Sequence, residues 1–221
     1  MARQPRFFVP GVPQHAVQRG CDRRPIVEDE EDRCFFIGCL AEASHVHRLQ
    51  IHAYVLMTNH LHLLATPQDC TSLPRTFQDI GRRYVPYFNR KYGRTGALWE
   101  SRYRAAVVET ERYFLTCMKY IELNPVRAGL VRYPDEFQWS SYRSNALGMG
   151  DGVVSPHEVY ERLGQSAAER TSRYRELFDS AVPPEEIAAV RTATNNNWAL
   201  GGKDFLRFIE EATSRRAMPL F

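Results

Sequence analysis

The stretch YVLMTNHLHLL, residues 54–64, leaves this chain little choice of local structure. His60 and His62 flank Leu61 in a run of apolar and β-favouring residues bounded by Pro67, which is the pattern of a strand. Strand side chains alternate, so both imidazoles leave one face of a sheet while Leu61 and Leu63 leave the other. Two readings of the pair stand: neutral nitrogen ligands of a metal centre, anchored from behind by core packing, or structural histidines. His45 and His47 supply a contrast within the chain. They follow Glu30 to Ala43, whose apolar spacing (Phe35, Phe36, Cys39, Leu40, Ala43) is helical, and residues two apart on a helix do not share a face. That pair is expected at the solvated end of a helix.

Around this stretch the elements fall in a definite order. Gln14 to Gln18 suits a short strand, a helix starts at Asp29 or Glu30 and runs to about His47, and Ile51 to Met57 is a second strand. Thr58 and Asn59 form a tight turn into His60 to Thr66, making a hairpin. Thr76 to Tyr92 reads as a helix kinked at Pro86 and ended by Gly93 and Gly96; residues 102–108 form a fourth strand; Thr110 caps a helix that ends near Pro125. The first six elements spell a ferredoxin-like α+β fold, an antiparallel sheet with two helices on one face. The seventh element, the helix after Thr110, is then free to cover the other face, where His60 and His62 point.

That helix carries KYIELNPVRAGLV. Phe114, Met118 and Ile121 make a buried stripe, while Tyr120 and Asn124 lie one turn apart on an adjoining face, about 6 Å along the axis. Tyrosine is a competent nucleophile toward a phosphoryl group that a metal polarises, and Asn124 offers a third, hard ligand beside two imidazoles, a set that suits Mg2+ or Mn2+. Tyr120 can equally be a half-buried anchoring residue.

Charge adds a partner class. Residues 71–133 hold 12 Lys and Arg against 5 Asp and Glu, interleaved with Tyr84, Tyr87, Phe88, Tyr92, Trp99 and Tyr103. Such a mixture suits phosphate neutralisation with base stacking on a single strand, and suits a solvated basic face over core aromatics equally well. Arg19, Arg23 and Arg24, then Arg82, Arg83, Arg102, Arg104 and Arg127, are the candidate DNA contacts, arginine presenting a planar fork to phosphates and guanine edges.

MTNHLHLL with KYIELNPVRAGLV, together with HAVQRG, GALWESRYRAAVVE and FQWSSY, resembles the REP-associated tyrosine transposases, relatives of the single-tyrosine insertion-sequence transposases of the HUH nuclease superfamily. The resemblance runs from about Pro10 to Tyr142. It implies a metal-dependent nick in single-stranded DNA at a hairpin-forming REP-like repeat, with a covalent 5′-phosphotyrosine and a free 3′-hydroxyl, followed by strand transfer. By position, His60 and His62 are the paired histidines, Tyr120 the nucleophile and Asn124 the third ligand. Thr58 departs from the proline that relatives often carry in the turn, which bears on loop rigidity. Two rivals stay open: a catalytically silent hairpin DNA or RNA binder of the same fold, and a metal-dependent phosphoester hydrolase for which Tyr120 is dispensable.

The expected organisation is a catalytic domain over residues 1–145 and a helical C-terminal extension over 151–221, DNA-binding or packing, beyond the flexible GMGDG boundary. Helical patterns there cover 156–163, 168–178, 184–192 and 203–215. No run approaches the roughly 20 apolar residues of a membrane span. The start, MARQPRFF, has no export pattern, and five cysteines without CxxC spacing argue against a disulfide framework or a zinc knuckle. A cytoplasmic, nucleoid-associated bacterial protein, monomer or homodimer, is the expectation.

Overall fold

The structure is a computed structural model that describes residues 6–218. Four strands, β1 (Gln14–Arg19), β2 (Leu49–Leu56), β3 (His60–Pro67) and β4 (Arg104–Val107), form one antiparallel sheet in the order β2-β3-β1-β4. Helix α1 (Glu30–Val46) joins β1 to β2, and α2 (Ser72–Lys91) joins β3 to β4. This is the ferredoxin-like α+β arrangement expected from the order of elements.

Local chemistry accounts for each boundary. The Asp29 carboxylate accepts the Asp32 amide while the Asp32 carboxylate accepts the Asp29 amide, a capping box that starts α1. The helix stops before His47, with His45 exposed and His47 reaching Asp79 across 3.3 Å. Helix α2 begins at Ser72, earlier than its sequence pattern suggests. Pro74 falls in the first turn, where its missing N–H has no intrahelical acceptor to lose, and the Asp69 carboxylate takes the amides of Thr71 and Ser72. The helix then continues through Pro86 as one element.

Two apolar layers sandwich the sheet. On one side Leu61, Leu63 and Ala65 of β3 pack with Phe36 and Leu40 of α1 and Ile80, Tyr84 and Phe88 of α2. On the other, Leu64 of β3 and Val55 of β2 pack under α3 (Thr110–Glu122) through Phe114, Cys117, Met118 and Ile121. A bulge between Ile51 and Ala53 shifts β2 so that Ile51, Tyr54 and Leu56 stay in the first layer and Ala53, Val55 and Met57 enter the second. Glu109, rather than Thr110, takes the cap position of α3, and its carboxylate accepts the Gly202 amide at 2.7 Å instead of a helix amide. Helix α3 ends at Glu122, and a short turn, α4 (Asn124–Arg127), resumes after Leu123 because Pro125 cannot donate into the ladder.

The remaining chain wraps the second layer. It forms α5 (Tyr142–Leu147), α6 (Glu158–Glu161), α7 (Ala167–Glu176), α8 (Pro184–Asn196) and α9 (Lys203–Thr213), close to the sequence pattern. Tyr160, Tyr174, Val190, Ala193 and Leu200 are buried with α3 and the sheet. Both sheet edges are covered: Trp139, Ser141 and Ser155 bond the backbone of β2, and Leu200 bridges the end of β4. The buried Glu122 carboxylate accepts bonds from Ser141, Asn145 and Tyr174, and burial pushes it up to about 7. The five cysteines are unpaired, and among the described residues no helix is long and apolar enough to cross a membrane.

His52, at the bulge, is buried between the Ser155 carbonyl at 2.8 Å and the Thr66 hydroxyl at 2.9 Å. Burial, against the bond to Ser155 and helped by His157, pushes this imidazole down to about 4. A group that holds its proton less tightly folded than unfolded stabilises the fold above the unfolded value. That contribution, roughly 3 kcal/mol at most, is lost as pH falls from about 6.5 toward 4. Urea unfolding at pH 7.5 and 4.5 is expected to show a shallower acid loss in His52→Gln than in the parent; equal losses would show that His52 does not titrate in this window.

Candidate active site

The histidine face of the sheet is set by register. Arg104, Val17, His62 and Val55 lie side by side across β4, β1, β3 and β2, and Arg19 lies opposite His60. On β1, His15 precedes Val17 by two residues and shares its face, which places it diagonally from His62. Helix α3 lays Tyr120 over this group. Its ring meets His15 edge-on at 5.7 Å and His62 edge-on at 5.9 Å, while His60 and His62 stand 4.9 Å apart.

His60, His62 and Asn124 are each aimed by partners that leave one atom unbonded. His60 Nδ1 donates to Asn59 Oδ1 at 2.6 Å, and Asn59 Nδ2 donates to the Arg23 carbonyl, so the His60 lone pair is at Nε2. His62 Nδ1 is bonded to His15 Nε2 at 2.8 Å, and His15 Nδ1 to Thr194 Oγ1 at 2.7 Å. The Asn124 amide donates to the Tyr120 and Ile121 carbonyls, both at 3.1 Å, and its Oδ1 makes no hydrogen bond among the described residues. The Tyr120 hydroxyl has the Arg127 guanidinium as its polar neighbour. Arg127 donates to the Tyr120 carbonyl at 2.8 Å and lies 4.3 Å over the Tyr120 ring, with its Nε and Nη1 buried and unpaired.

A hollow of about 260 Å³ opens between these residues, lined by His15, Val17, Arg19, His60, His62, Tyr120 and Asn124, and by Arg191, Thr194 and Asn195 of α8. Burial pushes His60 down to about 4, aided by Arg19, and His15 down to about 3, aided by Arg127. His62 lies well below the usual imidazole range, through burial first and then the charges of its neighbours. All three rings are therefore neutral near pH 7, and His60 and His62 each keep an unbonded Nε2 at the hollow. Among the described residues no three His, Cys, Asp or Glu side chains converge on a metal position. His15 spends both nitrogens on hydrogen bonds, and the unbonded Asn124 amide oxygen is a further atom in the hollow that could meet a cation. The free Nε2 atoms and the free Oδ1 suit a cation with open positions. A larger hollow, about 770 Å³, opens at the far end of β3 beside Thr66 and Pro67 and contains none of these groups.

The arginines expected to contact DNA separate by face. Arg19, Arg102 and Arg104 border a recess that adjoins the histidine hollow through Val17 and Asn195, and Arg104 donates to the Asn195 carbonyl. Arg127 touches Tyr120. Arg23 and Arg24 are exposed in the loop after β1. Arg82 and Arg83 belong to α2 on the opposite face, where Arg83 pairs with Glu42 of α1 at 2.7 Å. Sequence reasoning missed His15, Arg191 and Thr194. The period of two along β1 could have found His15 once the sheet order was known; no sequence signal marks Arg191 or Thr194.

The paired strand histidines, the ferredoxin-like sheet and the helix that carries Tyr120 all lie in one contiguous stretch of the chain. Residues 9–124, more than half of the chain, match the IS200-like transposase family, and the chain belongs to that family. Among solved structures, a REP-associated tyrosine transposase bound to a REP hairpin has a similar fold, with a TM-score of 0.56 and 16% identity over 71% of this chain and 93% of that one. A candidate transposase from Deinococcus radiodurans R1 is 22% identical over 54% of this chain and 95% of that one, with a TM-score of 0.39. No curated protein matches the chain.

Two buried tyrosines should separate by what their hydroxyls do. Tyr174 donates to Glu122 at 2.8 Å in the core, so Tyr174→Phe is expected to cost about 1–3 kcal/mol of stability. Tyr120→Phe is expected to cost less, below about 1 kcal/mol, because its hydroxyl faces the Arg127 guanidinium at the hollow and not a fully buried carboxylate. Urea unfolding of both variants checks this, and a large loss for Tyr120→Phe would assign its hydroxyl a structural bond.

Proposed function

We propose that this transposase-family protein is a metal-dependent single-stranded DNA endonuclease and strand transferase that works through a covalent 5′-phosphotyrosine at hairpin-forming repeats. The observation that carries this proposal is the packing of Tyr120 edge-on against His62, with His60 and the free amide oxygen of Asn124 in the same hollow. His60, His62 and Asn124 would hold Mg2+ or Mn2+, which when bound withdraws charge from the scissile phosphate.

The protein's own groups divide the remaining work. The Tyr120 oxygen attacks phosphorus in line as its proton passes to water; the tyrosyl O–P bond forms, the P–O3′ bond breaks, and the departing 3′-oxygen takes up a proton. The guanidinium of Arg127 over the ring stabilises negative charge on the phenol oxygen. Because the bond energy is kept in the phosphotyrosine, a 3′-hydroxyl can reverse the step and rejoin strands without a nucleotide cofactor. Arg19, Arg102 and Arg104 bind the strand leading into the hollow, and Arg23 and Arg24 engage backbone from the exposed loop. The hairpin-bound state of the fold neighbour supports a hairpin partner.

A division between a catalytic unit over 1–145 and an extension over 151–221 belongs to the same proposal. Arg191 and Asn195, lining the hollow, support contact between the extension and the bound strand.

Incubating the protein with labelled hairpin-bearing single-stranded DNA and Mn2+ or Mg2+ is expected to leave label on denatured protein, and Tyr120→Phe to leave none. His60→Ala should abolish cleavage and keep hairpin binding; loss of both would make the histidines structural. Arg127→Ala should slow adduct formation by about 10²-fold. Cleavage that survives Tyr120→Phe would overturn the proposal.

A further inference from the structure

Thr194, His15 and His62 form an unbroken hydrogen-bonded row from helix α8 through β1 to β3. All three are buried, at 3%, 1% and 5% exposure, so water cannot stand in for a missing member. We propose that Thr194 and His15 are positioning residues that hold His62 in the tautomer whose Nε2 lone pair faces the hollow, making α8 part of the metal-binding apparatus. This rests on the assignment of His62 as a ligand.

Proton bookkeeping carries the argument. Each neutral ring has one proton, and the row admits two arrangements. In the first, His62 Nδ1–H donates to His15 Nε2, and His15 Nδ1–H donates to the Thr194 oxygen; His62 Nε2 is then a free lone pair. In the second, the Thr194 hydroxyl donates to His15 Nδ1, and His15 Nε2–H donates to His62 Nδ1; His62 then carries its proton at Nε2 and cannot bind a cation. The Thr194 oxygen is the acceptor that permits the first arrangement, since His15 Nδ1 has no other hydrogen-bond partner among the described residues. His60 needs no such row, because the Asn59 carbonyl oxygen can only accept.

Without the hydroxyl the first arrangement leaves a buried Nδ1–H on His15 with no acceptor, whereas the second leaves only an unbonded lone pair, so the balance moves to His15 Nε2–H and the blocked form of His62. Thr194 contributes this from well outside the region shared with the transposase family, which ends at residue 124. The site would thus be incomplete without the C-terminal segment, whose α8 is fixed by Val190 and Ala193 in the second apolar layer and by Asn197 accepting the Ala105 amide.

The test uses the full chain and Mn2+ alone. In 15N-histidine-labelled, metal-free protein, NMR is expected to show His62 protonated at Nδ1 in the parent and in Thr194→Ser, and at Nε2 in Thr194→Val. Calorimetric Mn2+ affinity should fall about 10- to 100-fold in Thr194→Val and stay near the parent value in Thr194→Ser. His15→Gln, whose amide oxygen still accepts from His62, should keep the Nδ1 tautomer, and His15→Leu should lose it. This second pair decides the matter if Thr194→Val fails to fold. An unchanged His62 tautomer in Thr194→Val, or in His15→Leu, overturns the proposal. A parent that binds no Mn2+ while the tautomers shift as expected would sink the metal assignment and leave the row standing.

Discussion

Side chains on a strand alternate, and on β3 that alternation is locked from both sides. Leu61 and Leu63 are sunk beneath α1 and α2, and Leu64 is held in the layer under α3. With both apolar layers engaged, His60 and His62 have one direction left. A slip of one residue in the β1–β3 register would turn Leu61 and Leu63 toward α3 and put His60 and His62 beneath α1 and α2, so core packing itself fixes the face that the histidines occupy. Helix α3 is bound to the same face by its stripe of Phe114, Met118 and Ile121, and Tyr120 follows from that placement.

Burying three imidazoles beside two guanidiniums is unfavourable for charge, and the structure meets this by neutrality and pairing. Each histidine of the site gives one nitrogen to a fixed partner, Asn59 for His60 and the His15–Thr194 row for His62. What remains free is the set of atoms a cation would use. The polar latch at Glu122 does related work for the helix that carries the tyrosine, joining α3 to α5 and α7 through Asn145 and Tyr174. Polar groups in this half of the molecule connect the family-wide region to the segment after it, which argues for one cooperative body on the histidine face.

Much of the fold was legible because its signals are local. The order of strands and helices, the hairpin at Thr58 and Asn59, and the common face of His60 and His62 follow from alternation and helical spacing in short windows. Tyr120 and Asn124 were legible for the same reason, being one turn apart. His15 was not, since its role depends on which strand lies beside β3. Thr194 lies still further off, contributed by a helix whose own pattern says only that one side is apolar. The basic excess between residues 71 and 133 is divided by the fold: a count along the chain cannot see that α2 lies on one face of the sheet while α3 lies on the other, or that Arg83 pairs with Glu42. The start of α2 was missed because Pro74 reads as a breaker, although a first-turn proline costs the helix nothing.

The central claim is that a tyrosine on α3, facing the strand histidines, becomes bonded to DNA. Tandem mass spectrometry of the protease-digested adduct tests it most directly. The expected spectrum places a nucleotide 5′-phosphate on the peptide containing Tyr120, at the tyrosine itself. A nucleotide on Tyr113 or another residue, or cleaved DNA carrying a free 5′-phosphate with no modified peptide, would contradict the claim and return the nucleophile to another side chain or to water.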